Sequence, residues 1–99
     1  MEDFTREEIE STQAPLLLEF GAEWCGYCQA AQPLIQSALA KHPNVRHIRI
    51  KDGKGKRLGR QYGVKLWPSL IFIKDGKEIS RLVRPRDADI IAQHLAELM

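Results

Sequence analysis

Residues 16–28 read LLLEFGAEWCGYC, and this stretch decides the fold. Its first five residues are a nearly continuous apolar run of strand length, which is typical of a central strand covered on both faces. Residues 21–24 read as a turn, and apolar residues recur at helical spacing over residues 26–42. The stretch therefore predicts a buried strand that leads through a turn into a helix, with Cys25 at the start of that helix.

Three further helices are predicted. Thr5 and Glu8 form a capping box, which predicts a short first helix. Residues 57–62 predict a second short helix that Gly63 ends, and Asp87 is the expected N-cap of the last helix.

Strands fill the remaining chain. Apolar residues alternate with polar ones over residues 45–50, and the Asp75-Gly76 pair predicts a tight turn between strands at 69–74 and 77–83. A helix between the first two strands requires them to be parallel, whereas the hairpin is antiparallel. The fold class is therefore α/β, with a mixed four-stranded sheet and helices on both faces.

Composition and charge exclude several classes of function. The chain has 99 residues, which suits one domain over residues 1–99. Its 15 Lys and Arg residues against 13 Asp and Glu residues give no broad electrostatic case for binding nucleic acid. The basic run at residues 51–60 is more typical of a solvated loop than of a phosphate site.

The sequence also bears on location. No apolar stretch approaches the roughly 20 residues that a membrane-spanning helix requires, so we expect no membrane partner. The first six residues, MEDFTR, contain neither a basic leader nor an apolar segment. We therefore expect a cytoplasmic protein.

The two cysteines are the chemical centre of the sequence. The N-terminus of a helix favours a thiolate at Cys25, because unpaired N–H groups and the helix dipole stabilise negative charge there. Cys28 lies one turn further on, within reach of Cys25, so the pair can form and break a disulfide. This pattern predicts an attacking and a resolving thiol.

Two other interpretations of the pair are less favoured. A Cys-x-x-Cys segment can supply half of a zinc site, but His42, His47 and His94 are scattered singly and not at a paired ligand spacing. The pair could also be two inert buried thiols, but the flanking Trp24 and Gly26 make this interpretation less favoured. We expect no metal and no organic cofactor.

Two segments resemble the thioredoxin family: residues 18–28, and residues 62–69, which read YGVKLWPS. The resemblance runs from about Pro15 to the C-terminus and implies a thioredoxin-like fold. The segment before Pro15 looks too short for the family's first strand and helix, which leaves a four-stranded core or a very short fifth edge strand at residues 1–4. The resemblance also implies disulfide-containing protein substrates, an electron donor such as a thioredoxin reductase, and a monomer.

The resemblance assigns roles to residues outside the cysteine motif. Pro68 would be the cis-proline facing the disulfide, and the backbone of Trp67 would bind an extended substrate segment; alternatively, Pro68 merely begins a strand. Glu19 replaces a buried aspartate and would accept the proton of Cys28, a role that burial of a carboxylate favours. A solvent-facing Glu19 at a sheet edge is the alternative. Arg49 occupies the place of a buried lysine, where it either pairs with Glu19 or faces solvent.

Four residues depart from the family's pattern. Tyr27 replaces a proline, which implies a less reducing pair, and Gly21 replaces a tryptophan. Arg84 replaces a glycine of the docking surface and would favour acidic partners, and Trp67 is larger than the usual aliphatic residue; alternatively, both fold away from the site. The expected substrate-binding residues are Trp24, Gly26, Tyr27, Trp67, Pro68 and Arg84.

The predicted function is thiol:disulfide exchange, most simply the reduction of protein disulfides by Cys25 and Cys28 with Glu19 assisting. A redox-inactive binding module of the same fold is one rival. A glutathione-linked, glutaredoxin-like enzyme is another rival. Arg84 and Lys65 would favour it as carboxylate binders, but the WCGYC motif fits such an enzyme poorly.

Overall fold

The computed structural model describes residues 4–99 and contains every predicted helix and strand. The elements follow one another along the chain in this order: α1 Arg6–Glu10, β1 Leu16–Gly21, α2 Gly26–Leu39, β2 Arg46–Lys51, α3 Arg57–Gln61, β3 Ser69–Lys74, β4 Lys77–Val83 and α4 Ala88–Ala96.

The strands form one mixed sheet, in the order β2-β1-β3-β4. β1 pairs in parallel with β2, and β3 pairs antiparallel with β4, as predicted. β1 also pairs antiparallel with β3. In the described residues the sheet has four strands. The proposed fifth strand falls mainly on residues 1–3, which lie outside the described part of the chain.

Helices cover both faces of the sheet. One apolar cluster packs side chains of β1, β2 and β3 against Ile9 of α1 and Leu58 of α3. The other packs Leu17 and Phe72 against Ile35 of α2 and neighbouring residues of α4. Burying a leucine or isoleucine side chain stabilises the fold by about 1.5–3 kcal/mol, so these two layers hold the sheet between its helices.

Two helices end earlier than the sequence predicts. α2 ends at Leu39, because the amides of Lys41 and His42 bond to carbonyls three residues back, in tight turns that lead to Pro43. α3 ends at Gln61, two residues before Gly63, whose φ of +68° suits a glycine. No helix in residues 4–99 has the length and apolar character needed to cross a membrane.

Candidate active site

Cys25 and Cys28 lie at the start of α2. Cys25 is the N-cap residue, and the backbone N–H of Cys28 donates a hydrogen bond to Cys25 Sγ over 3.2 Å. Both cysteines are free and buried, with 6% and 1% of their surface exposed. Because backbone N–H groups at a helix N-terminus stabilise negative charge, this position suits Cys25 as the attacking thiolate.

Cys28 holds its proton firmly. Burial, followed by the hydrogen bond with Cys25, raises the pKa of the Cys28 thiol from 9.0 to about 11, and the charge of Glu19 acts in the same direction. Cys28 is therefore a neutral thiol near pH 7, and it needs a base when it attacks a disulfide.

Gly21, the last residue of β1, lies against the Cys28 sulfur. A Cβ atom at position 21 would lie 2.7 Å from Cys28 Sγ, well inside van der Waals contact. The missing side chain therefore leaves room for the reduced thiol. The sequence alone had indicated only the loss of an aromatic side chain here.

Glu19 is fully buried in the centre of β1, with 0% of its surface exposed. The alternative of a solvent-facing carboxylate at a sheet edge is wrong. Arg49 Nε lies 3.5 Å from Glu19 Oε1, so Arg49 is an ion-pair partner of Glu19, although 40% of its side chain is exposed to solvent.

Two further residues contact the Glu19 carboxylate, and the sequence analysis did not find them. His47 Nε2 lies 2.7 Å from Oε1, and Gln32 Nε2 donates a hydrogen bond to Oε2. The Gln32 amide also lies 3.4 Å from the Cys28 carbonyl oxygen, so it connects the carboxylate to the backbone of Cys28. Helical spacing places Gln32 four residues after Cys28, and strand alternation places His47 on the same face as Arg49. Those signals could have found them.

Trp67 and Pro68 lie beside the thiols, immediately before β3. The peptide bond between them is cis, and Pro68 is buried. The Trp67 side chain packs against the cluster of Cys25, Cys28 and Ala22. Its Nε1 donates a hydrogen bond to Asp52 Oδ2 over 2.9 Å, a second contact that was not predicted. Trp67 therefore does not fold away from the site.

Arg84 also lies at the site. Its Nε donates a hydrogen bond to the Trp67 carbonyl over 2.7 Å, and its guanidinium carbon lies 3.9 Å from the centre of the Tyr27 ring. The backbone φ of Arg84 is +51°, a region that favours glycine, so the arginine adopts it at some cost. Arg84 thus connects Tyr27 of α2 to the segment before β3.

The comparisons with known proteins agree with this geometry. The family model described as Thioredoxin matches residues 1–97 of the chain. The chain belongs to the thioredoxin family.

Individual relatives give the same result. The chain is 34% identical over 82 residues to thioredoxin of Chlamydia trachomatis, covering 83% of this chain and 80% of that protein. It is 37% identical over 83 residues to thioredoxin of Chlamydia caviae, covering 80% of this chain and 81% of that protein. The structure of thioredoxin 2 from Pseudomonas aeruginosa PAO1 in its reduced form has a TM-score of 0.87 and 44% identity, covering 98% of this chain and 90% of that one.

The predicted fold and function are therefore confirmed. This thioredoxin-family protein is a thiol:disulfide oxidoreductase acting on protein disulfides, and neither the redox-inactive module nor the glutaredoxin-like enzyme is favoured. In residues 4–99 no group of three or more His, Cys, Asp or Glu side chains is placed to hold a metal ion.

The surface around the thioredoxin-family motif combines exposed aromatic rings with basic cavities. Trp24 is 77% exposed and packs edge-on against Trp67, and Tyr27 is 60% exposed. Tyr27, Leu66 and Arg84 are among the residues lining a cavity of about 630 Å³, and Trp67 borders a second one of about 200 Å³.

Proposed function

We propose that this protein reduces disulfide bonds in other proteins, with Cys25 as the attacking thiolate and Cys28 as the resolving thiol. Cys25 Sγ attacks one sulfur of the substrate disulfide and forms a mixed disulfide, while the other substrate sulfur leaves as a thiolate and takes a proton. Cys28 Sγ then attacks Cys25 Sγ, which releases the second substrate sulfur and leaves the Cys25–Cys28 disulfide. The observation that carries this assignment is the hydrogen bond from the Cys28 amide to Cys25 Sγ at the helix N-terminus.

Glu19 is the proposed proton acceptor when Cys28 attacks. Its full burial and its electrostatic effect on the Cys28 thiol support this role. Gln32 supports it further, because its amide holds one carboxylate oxygen and reaches the Cys28 carbonyl.

The substrate would dock on the surface around the thiols. We propose that it contacts the residues predicted from the sequence, which are Trp24, Gly26, Tyr27, Trp67, Pro68 and Arg84. The exposed rings of Trp24 and Tyr27 offer apolar contact area. Since the Trp67 carbonyl already accepts a bond from Arg84, an extended substrate segment would either share this carbonyl or displace the guanidinium.

The charge around this surface favours acidic substrates. Two cavities lie at this surface, one bordered by Leu66 and the other by Trp67. Of the 15 Lys and Arg residues, six line these cavities in the described part of the chain, whereas only one of the 13 Asp and Glu residues does. The six are Lys54, Lys56, Arg60, Lys65, Arg84 and Arg86. The single carboxylate, Asp52, is bonded to Trp67 Nε1. The remaining chain is net negative, so the positive charge is concentrated at the site.

The domain organisation, oligomeric state, location and electron donor are proposed from the sequence and the family. We propose one domain over residues 1–99, a monomer in the cytoplasm, and an electron donor such as a thioredoxin reductase. A reducing compartment favours the reducing direction. The chemistry of two thiols needs neither a metal nor an organic cofactor.

Reduction of insulin disulfides by a small dithiol tests the activity. Wild type should accelerate the reduction, and Cys25→Ser should lose the acceleration. Cys25→Ser turning over as fast as wild type, or an inactive wild type, would contradict the proposal.

The equilibrium potential of the Cys25–Cys28 pair against glutathione tests the direction of the reaction. A potential near that of glutathione or lower supports a reductase, and a much higher potential indicates an oxidant.

Paired peptide disulfides test the acidic preference. One peptide carries glutamate beside its cysteine and the other glutamine. We expect kcat/KM to favour the glutamate peptide by about two- to fivefold at low salt, the range of an exposed ion pair, and salt to reduce this ratio. Arg84→Gln should lower the ratio, whereas Lys77→Gln on the exposed hairpin should not. Equal rates for the two peptides at low salt would refute the preference.

A further inference from the structure

In residues 4–99 three side chains form a hydrogen bond or an ion pair with the Glu19 carboxylate, and they differ in what they can do with a proton. Arg49 lies 3.5 Å away and carries a guanidinium, which does not give up its proton in proteins. Gln32 has an amide side chain, which does not titrate. His47 is the third, and histidine is the side chain that takes up and releases protons near neutral pH.

The position of His47 connects this buried carboxylate to water. Glu19 lies on the inner strand β1, with Arg49 opposite it on β2 and the apolar Leu70 opposite it on β3. His47 lies on β2, an edge strand of the sheet, and 15% of its side chain is exposed. One nitrogen of the ring contacts Glu19 Oε1 at 2.7 Å while the side chain reaches the surface.

We propose that His47 is the residue through which Glu19 exchanges its proton with solvent in each reaction cycle. This inference rests on the proposed function, in which Cys28 attacks the mixed disulfide. His47 does not touch the reacting sulfur atoms and acts through Glu19.

The protons and electrons balance in the following way. The Cys28 sulfur forms a bond to Cys25 Sγ, and the electron pair of the broken bond leaves with the substrate sulfur, which takes a proton. The proton of the Cys28 thiol passes to the Glu19 carboxylate. The Glu19–His47 pair then holds one proton more than before, and the His47 ring releases one to water. When a dithiol reduces the Cys25–Cys28 disulfide, the same path returns a proton to Cys28.

Burial explains why such a path is needed. Cys28 and Glu19 expose 1% and 0% of their surface, so neither exchanges protons freely with water in the closed fold. The charged and titratable groups facing Glu19 are His47 and Arg49 from β2 and Cys28 from α2. Arg49 carries a fixed charge, so of the two β2 residues only His47 can pass a proton on to water.

The test compares His47→Gln with wild type in multiple-turnover reduction of a peptide disulfide, with a small dithiol as the electron donor, between pH 5.5 and 9. Glutamine can still bond to Glu19 but cannot carry a proton. We expect turnover to fall about tenfold at neutral pH, less than the roughly 10²–10⁴-fold effect of a group that transfers the proton in the transition state, because His47 acts through Glu19. One limb of the wild-type pH profile should disappear. Alkylation of Cys25 by iodoacetamide should keep its rate, because the first attack does not use His47.

Two matched variants and a rescue experiment distinguish a role of His47 in proton exchange from a merely structural role. His94→Gln makes the same change at a histidine bonded to Ser80, away from Glu19, and should leave the profile unchanged. Arg49→Gln removes a charge from the same carboxylate and should shift the profile without removing the limb. Imidazole added to His47→Gly should restore turnover in proportion to its concentration.

Each outcome decides between the alternatives. A His47→Gln profile that superimposes on wild type refutes the role of His47 and leaves the proposed function intact. A uniform loss at every pH with no imidazole rescue also refutes it and indicates a structural role. An inactive wild type would overturn the proposed function itself. Should the variants fail to fold, the NMR signals of the His47 ring in wild type must differ between the reduced and oxidised proteins, and identical signals refute the proposal.

Discussion

Raising the pH should destabilise the reduced protein through Cys28 in particular. The folded state raises the pKa of this thiol from 9.0 to about 11. Between these values the unfolded chain releases the proton and the folded chain keeps it. The stabilising contribution is therefore complete below pH 9 and is lost as the pH rises towards 11. Two pKa units correspond to about 3 kcal/mol, of which about 2 kcal/mol is lost by pH 11.

Urea unfolding at pH 8 and pH 11 measures this loss. Wild type, kept reduced, is compared with Cys28→Ser, which lacks the titrating thiol and keeps every other ionisable group. We expect the free energy of unfolding of wild type to fall by about 2 kcal/mol more than that of Cys28→Ser over this interval. Equal losses in the two proteins would refute the argument that the resolving thiol is buried and protonated.

Other substitutions test the packing that positions the site. Gly59→Ala places a methyl group against the Asp52 carboxylate, so it should break the hydrogen bond between Asp52 and Trp67 Nε1. We expect the tryptophan fluorescence to change and the fold to lose about 1 kcal/mol or more of stability. An unchanged spectrum and stability would contradict this contact. Leu17→Ala, at a fully buried position of β1, should cost about 3 kcal/mol in urea unfolding, whereas Ile79→Ala, at a position 47% exposed, should cost less than about 1 kcal/mol. Similar losses for the two would contradict the assignment of the core.

The sequence predicts the secondary structure well because its signals are local. The Asp75-Gly76 turn fixes the hairpin, and the structure places β3 and β4 at the predicted residues. The capping box of Thr5 and Glu8 is present, and Asp87 caps α4 as predicted. Each of these signals lies within a few residues of the element that it defines.

The environment of Glu19 was only partly predictable. Its burial follows from the apolar run of β1, which the sequence displays directly. Its contact with His47 depends on the register between β1 and β2, which are separated by the whole of α2. The histidines are scattered singly along the chain, so a histidine as the partner of a carboxylate was not predicted.

The conformation of Arg84 was also beyond the sequence. Its positive φ and its hydrogen bond to the Trp67 carbonyl depend on how the end of β4 packs against the segment before β3. No local sequence pattern predicts that packing. An arginine side chain can point either towards Tyr27 or into solvent.

The covalent intermediate of the reaction distinguishes the attacking cysteine from the resolving one. Reduced Cys28→Ser is mixed with a disulfide-containing protein, and the products are analysed by mass spectrometry without added reductant. The account predicts that a mixed disulfide through Cys25 accumulates, because the resolving thiol is absent, and that Cys25→Ser forms no such complex under the same conditions. A complex that forms equally well through Cys28 in Cys25→Ser, or no complex with either variant, would contradict it.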